Sequence, residues 1–340
     1  MKPRLQQVSG GCYAWLQPNG GWGLSNAGLI LGEGESLLVD TLFDLPHTKK
    51  MLDSMAPLTA MSPIGTLVNT QGNGDHWFGN ELVPAVEIIA APGTLQDMRE
   101  VGPAEVAALQ SLPGITGDYV RDIFGRYQFH GIEPRYPTRL YEDELNLQVG
   151  GVDVVLIDVG PAHSRGDTIV YCERERVVYT GDIVFAGGTP IVRAGPFSNW
   201  IAACERILAL GAELIVPGHG PVCPVAKVAA MVDYLQHIWE QASSRFAAGL
   251  PADQAAREIE LGRFAAWPES ERLAVNVAAV YRELAPAGGA QPGGPAMFGC
   301  MAELQTHRLD AHRLDPRRSH TDRSDAGRVS ADRLGTGFVG

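Results

Sequence analysis

Short apolar runs and polar turns alternate along the first part of the chain. Two apolar runs at 29–31 and 36–40 flank Gly32-Glu33-Gly34, which is the pattern of a β-hairpin. Amphipathic spacing then marks helices between further apolar runs. We therefore expect strand, strand, helix, strand, strand and helix over residues 29–31, 36–40, 47–55, 65–70, 87–90 and 94–112. This order favours a layered α/β fold.

The second half repeats this rhythm. Apolar or alternating runs predict strands, and helical spacing predicts the helices between and after them. The strands are expected over 145–147, 152–157, 168–171, 176–180 and 214–216, and the helices over 199–210, 225–248, 251–262 and 268–285. Glycines and prolines interrupt residues 113–140, where only a short helix near 118–128 is predicted. Irregular segments of this kind often form substrate walls or plain connections.

The pattern also divides the chain into parts. Residues 1–285 predict one domain, and residues 286–305, rich in glycine and proline, predict a linker followed by a last helix. Residues 306–340 are rich in Arg, Asp, Ser and His and hold few large apolar side chains. Because burial there cannot offset the entropy lost on ordering, we expect a disordered tail.

Charge and composition exclude several classes of function. The formal net charge of the 340-residue chain is -12, which disfavours binding to nucleic acid or to an anionic membrane. No apolar run reaches the roughly 18 residues of a membrane-spanning helix, and the first residues do not resemble a signal peptide. We expect a cytoplasmic protein. Its five cysteines show no CxxC spacing, so a disulfide framework is not expected.

Five acidic and histidine side chains follow predicted strands, at Asp75, His76, His163, Asp182 and His219. Strand ends in a layered sheet commonly converge on one edge, and a hydrolytic metal ion needs a few fixed ligands and one open position. Each residue alone could equally be a capping or hydrogen-bonded structural group. The ordered set predicts a metal site.

Two further aspartates are expected to support this site without binding metal. Asp40 ends the run Leu37-Leu38-Val39 and could orient a ligand, whereas Asp167 follows Gly166 and fits a turn.

The stretch Asn69-Thr70-Gln71-Gly72-Asn73-Gly74-Asp75-His76 resembles the His-x-His-x-Asp-His motif of the metallo-β-lactamase-fold hydrolases. The segments at 160–163, 180–182 and 217–220 resemble the later ligand motifs of that family. The resemblance implies a four-layer αββα sandwich with two neighbouring metals. One metal would take residues 71, 73 and 163, the other would take residues 75, 76 and 219, and Asp182 would bridge them.

The chain departs from that motif at Gln71 and Asn73. Amide oxygens bind zinc far less well than imidazole does. We therefore predict one tightly bound Zn²⁺, for which Fe²⁺ or Mn²⁺ could substitute. Asp75 would bind the ion or take a proton from water, and Asn73 or Gln71 could donate a hydrogen bond to the oxyanion.

Segments outside the metal motif resemble the branch of the family that contains bacterial aromatic-polyketide cyclases and thioesterases. They lie at 20–28, 39–42, 188–190, 233–235 and 261–264, within a resemblance that spans about residues 8–305.

The resulting functional hypothesis is a hydrolase that cleaves a thioester or ester by attack of a metal-bound water. Its substrate would be a small-molecule or carrier-protein-bound acyl group. One alternative is a polyketide cyclase that uses the metal as a Lewis acid and needs a long apolar cavity. Candidate walls of that cavity, which are equally core residues, are Trp22, Trp77, Phe78, Phe124, Tyr127, Phe185 and Trp200. The other alternative is a non-catalytic member that binds a ligand or partner.

Overall fold

Two β-sheets form the centre of the structure, a computed structural model that describes residues 2–84, 87–285 and 293–314. The first sheet contains β1 Arg4–Ser9, β2 Cys12–Leu16, β3 Ala27–Leu31, β4 Ser36–Val39, β5 Ile64–Val68, β6 Glu87–Ala90 and β7 Arg139–Leu140. The second contains β8 Glu144–Val149, β9 Val152–Asp158, β10 Thr168–Cys172, β11 Val177–Tyr179, β12 Leu214–Val216 and β13 Cys223–Pro224.

The sheets combine antiparallel and parallel pairing. In the first, strands follow chain order from β1 to β7, antiparallel as far as β4 and parallel from there on. In the second, the order is β13-β12-β11-β10-β9-β8, and only the pair of β11 and β12 is parallel among these strands. The predicted hairpin is confirmed as β3 and β4, with Leu29 opposite Leu38.

Alternation along each strand sorts side chains into two apolar layers. Val170 and Cys172 of β10 pack between the sheets, whereas Ile169 and Tyr171 face the helices outside. In β4, Leu37 and Val39 take the inner face. A one-residue shift would turn these apolar sets toward the wrong layer, so the alternation fixes which face each strand buries.

Helices cover both outer faces. They are α1 Leu45–Thr59, α2 Pro92–Glu100, α3 Pro103–Leu109, α4 Gly114–Phe124, α5 Phe197–Ala209, α6 Val228–Ala247, α7 Ala252–Glu258, α8 Leu273–Leu284 and α9 Gly294–Leu314. Met51 and Met55 of α1 pack on the first sheet, and α5 and α6 pack on the second through Cys204, Ile207 and Met231. The predicted αββα sandwich is confirmed.

The helix predicted over 94–112 is instead two helices. Gly102 is extended and lies between them, and Pro103 occupies the first turn of α3. Proline has no backbone N–H and fixes its φ angle, so it starts a helix more readily than it continues one.

The last helix also differs from the prediction. It extends to Leu314, beyond the expected boundary at residue 305 and into the expected tail. Leu304 is buried, and Arg308 donates to the Ser270 carbonyl at 3.0 Å, so contacts with the domain hold this part of the helix. Residues 286–292 of the predicted linker and 315–340 of the predicted tail lie outside the described residues. No helix in the described part of the chain is long and apolar enough to cross a membrane.

Candidate metal centre

Strand ends from both sheets converge at one edge of the sandwich. After β5 in the chain, a short 3₁₀ turn at Gly74–His76 carries Asp75 and His76. Asp182 lies in a second 3₁₀ turn behind β11, and His219 follows β12. The convergence predicted from the sequence is therefore present.

Four side chains surround one point. His76 Nε2 lies 3.3 Å from Asp182 Oδ1 and 3.9 Å from Asp75 Oδ2. His219 Nε2 lies 3.3 Å from Asp75 Oδ2 and 3.4 Å from Asp182 Oδ1. The ligand atoms of Asp75, His76 and His219 all lie within 4.8 Å of one another. We name Asp75, His76, Asp182 and His219 the acidic half of the centre.

Hydrogen bonds fix the orientation of both imidazoles in the acidic half. His76 Nδ1 lies 2.8 Å from Asp40 Oδ2, and His219 Nδ1 lies 3.0 Å from the Gly20 carbonyl oxygen. Because both partners are acceptors, each Nδ1 donates, and each Nε2 points to the centre, where it would offer its lone pair to a bound ion after losing its proton. His76 Nε2 and Asp182 Oδ1 are buried and have no hydrogen-bond partner among the described residues.

The charges in the acidic half favour a cation. Burial opposes charge on His219, yet the carboxylates of Asp182 and Asp75 raise its pKa to about 9. Burial likewise opposes charge on Asp182, but His219 and His76 hold its pKa well below its usual range. A buried and a partly buried carboxylate thus require positive charge beside them.

These features fit a bound divalent ion. Nitrogen and carboxylate oxygen are the donors that Zn²⁺, Fe²⁺ and Mn²⁺ accept. The unpartnered Nε2 of His76 and Oδ1 of Asp182 would gain the contact that they lack. Asp75, His76, Asp182 and His219 are the residues that would hold the ion.

Asp40 supports His76 as the sequence suggested. It is buried, and besides His76 it accepts hydrogen bonds from Thr70 N at 2.7 Å and Thr70 Oγ1 at 2.6 Å. The carboxylate thus joins the backbone before the motif to the imidazole within it, which orients the imidazole.

Sequence reasoning missed the residue that holds the His219 loop. The Asn26 amide donates to the Pro217 carbonyl at 2.9 Å and to the Gly220 carbonyl at 2.8 Å. Only its place inside a segment shared with relatives could have marked it. Gly218 is required in the same loop, since a Cβ there would lie 2.0 Å from Asp182 Oδ1.

The remaining predicted ligand, His163, and the two predicted hydrogen-bond donors, Gln71 and Asn73, form what we name the amide half of the centre. His163 Nε2 lies 3.4 Å from Asp182 Oδ2, so the two halves share that carboxylate. The Asn73 amide nitrogen donates to His163 Nε2 at 2.7 Å, and His163 Nδ1 donates to the Ile191 carbonyl at 2.6 Å. The lone pair that a metal would need is therefore engaged by protein.

Burial keeps His163 neutral, lowering its pKa to about 4 against the opposing effect of Asp182. The turn that presents this residue depends on Asp167, as the sequence predicted. Asp167 Oδ2 accepts hydrogen bonds from Ser164 N at 2.9 Å and Ala162 N at 3.1 Å.

A cavity of about 300 Å³ opens onto the centre. Asn73, Asp75, His163, Asp182 and His219 line it, whereas Gln71 and His76 do not. Its apolar walls include Trp22, Phe43, Phe124, Phe185, Met297 and Phe298. Of the aromatic residues expected from the sequence to form walls, Trp22, Phe124 and Phe185 do so; Trp77, Phe78, Tyr127 and Trp200 are buried in the core instead.

Two known proteins are similar in sequence to part of this chain. It is 28% identical over 194 residues to 2,4-dinitroanisole O-demethylase subunit alpha of Nocardioides sp. (strain JS1661), covering 56% of this chain and 51% of the relative. It is 24% identical over 217 residues to acyl-coenzyme A thioesterase MBLAC2 of Gallus gallus, covering 57% and 72%. The chain thus spans only about half the length of the demethylase subunit.

Solved structures show the same fold. The inverting sec-alkylsulfatase Pisa1 from Pseudomonas sp. matches with a TM-score of 0.67 at 18% identity, covering 86% of this chain and 51% of that one. A metallo-beta-lactamase from Pontibacter korlensis matches with a TM-score of 0.53 at 16% identity, covering 69% and 99%. The family model of the metallo-beta-lactamase superfamily matches residues 20–219, the span that carries every residue of both halves. With its fold and ligand order, this match shows that the chain belongs to the metallo-beta-lactamase superfamily.

Proposed function

We propose that this protein is a metal-dependent hydrolase that cleaves a thioester or ester at one tightly held metal ion. The observation that carries the proposal is the acidic half, where Asp75, His76, Asp182 and His219 converge around buried, unpartnered ligand atoms. The proposed substrate is an acyl group on a small molecule or a carrier protein. The apolar cavity beside the centre supports this class.

The chemistry of the amide half leads us to propose one ion rather than two. Gln71 and Asn73 offer weak ligands, and the Asn73 amide already occupies the Nε2 lone pair of His163. We propose Zn²⁺ as the ion, with Fe²⁺ and Mn²⁺ as substitutes that the same nitrogen and oxygen donors accept.

A divalent ion, when bound, supplies Lewis acidity and lowers the pKa of water from 15.7 to about 7. Asp75 is partly buried and faces the cavity, where its carboxylate would either hold the ion or take a proton from the attacking water.

The two amides of the motif differ in what they can do for the oxyanion. Asn73 lines the cavity, and its amide retains a second N–H after donating to His163. That N–H can donate to the developing oxyanion. Gln71 is buried and does not line the cavity, so we propose the oxyanion role for Asn73 alone.

The names of the relatives support a hydrolytic reaction class but do not identify which bond is cleaved. One is by name an acyl-coenzyme A thioesterase and another a linear primary-alkylsulfatase, the latter 25% identical over 136 residues. The polyketide cyclase stays an alternative proposal. The apolar walls favour it, but a cavity of about 300 Å³ is at the small end for a folded polyketide.

The test is metal content per chain, by elemental analysis of protein purified without a histidine tag. We expect about one ion, lost in Asp75→Ala and in His219→Ala. Two ions would contradict the one-metal assignment. No ion, even after refolding with zinc, iron or manganese, would overturn the metal mechanism and favour the non-catalytic alternative.

The reaction itself is tested with acyl-thioesters of increasing chain length, by measuring thiol release. We expect release by the wild type and its loss in His219→Ala. Absence of release from every thioester and ester, in protein that holds its ion, would favour the cyclase.

A further inference from the structure

Arg193 is a cationic group in the cavity that the proposed reaction does not use. Its backbone N–H donates to the His163 carbonyl at 2.7 Å, which ties the residue to the amide half. The residue is partly buried and lines the cavity together with Asn73 and Asp75. A positive charge is therefore fixed beside the proposed reaction centre.

The other arginines of the cavity lining have protein partners. Arg165 donates to Asp97 at 2.6 Å and pairs with Glu100. Arg272 pairs with Glu269 at 2.7 Å, and its guanidinium lies 4.1 Å from the ring centroid of Trp22. Both are engaged in holding the walls together.

Arg193 differs from them. Within residues 2–84, 87–285 and 293–310, its guanidinium makes no hydrogen bond or ion pair, although the carboxylates of Asp97, Asp75, Asp182 and Glu100 act on it from a longer range. A guanidinium presents five N–H donors in a planar fork that matches an oxyanion. The nearby Asp97 and Glu100 carboxylates are already turned to Arg165.

Burial opposes the charge of Arg193 and lowers its pKa, but a guanidinium stays protonated in proteins. A partly desolvated cation without a partner is unfavourable, and an anion that fills the place would remove that cost. The remaining cavity wall offers apolar surface, from Ile191, Phe124 and Phe298 among others.

We propose that Arg193 binds an oxyanion, a carboxylate, sulfate or phosphate, carried by an apolar substrate whose scissile bond lies at the metal centre. The placing of the scissile bond rests on the proposed function; the binding of the anion does not. Arg193 would select apolar anions over neutral molecules of the same shape.

Two fluorescent dyes test this without any reaction. 8-Anilinonaphthalene-1-sulfonate and N-phenyl-1-naphthylamine share one aromatic body and differ by a sulfonate. For the wild-type protein as purified, we expect the sulfonated dye to bind about tenfold or more tightly than the neutral dye. Arg193→Gln should remove that preference by weakening the sulfonated dye alone, and Arg193→Lys should restore part of it.

Two further variants locate the dyes. Phe298→Ala removes an apolar wall and should weaken both dyes, whereas Arg126→Gln removes an exposed arginine that does not line the cavity and should change neither. Equal affinity of the wild type for the two dyes would overturn the proposal. So would a sulfonated-dye affinity that Arg193→Gln leaves unchanged, or no saturable binding of either dye.

Failure here is distinguishable from failure of the proposed hydrolase. Metal content and thiol release test the centre, and the dye preference tests Arg193. A protein that holds its ion and shows no Arg193-dependent preference loses only the oxyanion site. One that holds no ion and shows the preference keeps the site as a binding function.

Discussion

The acidic half and the amide half of the centre share Asp182 and the same strand ends, yet they present opposite chemistry. In the acidic half the Nε2 of His76 has no partner in the described structure, so a ligand atom is left open. In the amide half the Nε2 of His163 accepts a hydrogen bond of 2.7 Å from the Asn73 amide. The same fold thus places an open ligand atom in one half and an internally hydrogen-bonded imidazole in the other, which is why we propose one metal rather than two.

The two halves are expected to contribute very differently to metal binding. We expect His76→Ala to lose the ion, since it removes an oriented ligand from the acidic half. The matched His163→Ala should keep about one ion, because we propose that the imidazole engaged by Asn73 does not bind the metal. Elemental analysis of both variants checks this, and equal loss would contradict it.

Histidine at positions 71 and 73 should turn the amide half into a second metal site. In the double variant Gln71→His with Asn73→His, His163 is released from its hydrogen bond and two imidazoles join it, so we expect metal content to rise from about one to about two ions per chain. Asn73→Ala is the control: it frees His163 but adds no ligand, and should stay at one. A double variant that also holds only one ion per chain would show that geometry, rather than ligand type, prevents metal binding in the amide half.

Asp40 should affect only the acidic half. Asp40→Asn weakens the orientation of His76, and we expect metal affinity to fall about 10- to 100-fold, measured by chelator competition. Asp44→Asn is the control, because this buried aspartate caps α1 through His47 N at 2.9 Å and lies outside the centre. It should lower the free energy of unfolding and leave the metal affinity unchanged. Equal metal affinities in the two variants would show that Asp40 does not support metal binding.

The smallest effect is expected at Gln71. Its Nε2 is buried and has no partner among the described residues. Gln71→Leu loses only the 3.3 Å hydrogen bond that Gln71 Oε1 accepts from Asn73 N, and we expect the free energy of unfolding in urea to change by less than about 1 kcal/mol with the metal content unchanged. Loss of the ion in this variant would show that Gln71 is a ligand.

The sequence allowed prediction of the features that depend on local pattern. Alternation located β9 and β10, and the order of Asp75, His163 and His219 after apolar runs indicated their convergence. The break between α2 and α3 was missed, although Gly102-Pro103 is a local signal for it.

What could not be predicted depends on contacts between distant segments. The bond from Asn73 to His163 joins residues 90 positions apart. The guanidinium of Arg193 stands out because it makes no hydrogen bond or ion pair within the described residues, and no spacing rule in the sequence predicts such a residue.

The wall made by α9 has a consequence for how this protein could change over time. Met297 and Phe298 face the cavity, and the Phe298 ring lies 5.7 Å from that of Phe124, whereas the family match ends at residue 219. The ligand set and this part of the cavity wall are thus encoded in separate stretches of the gene, although Trp22, Phe124 and Phe185 place other parts of the wall within the family match. Mutations in the later stretch can therefore reshape the cavity and leave the ligand set of the proposed metal centre intact.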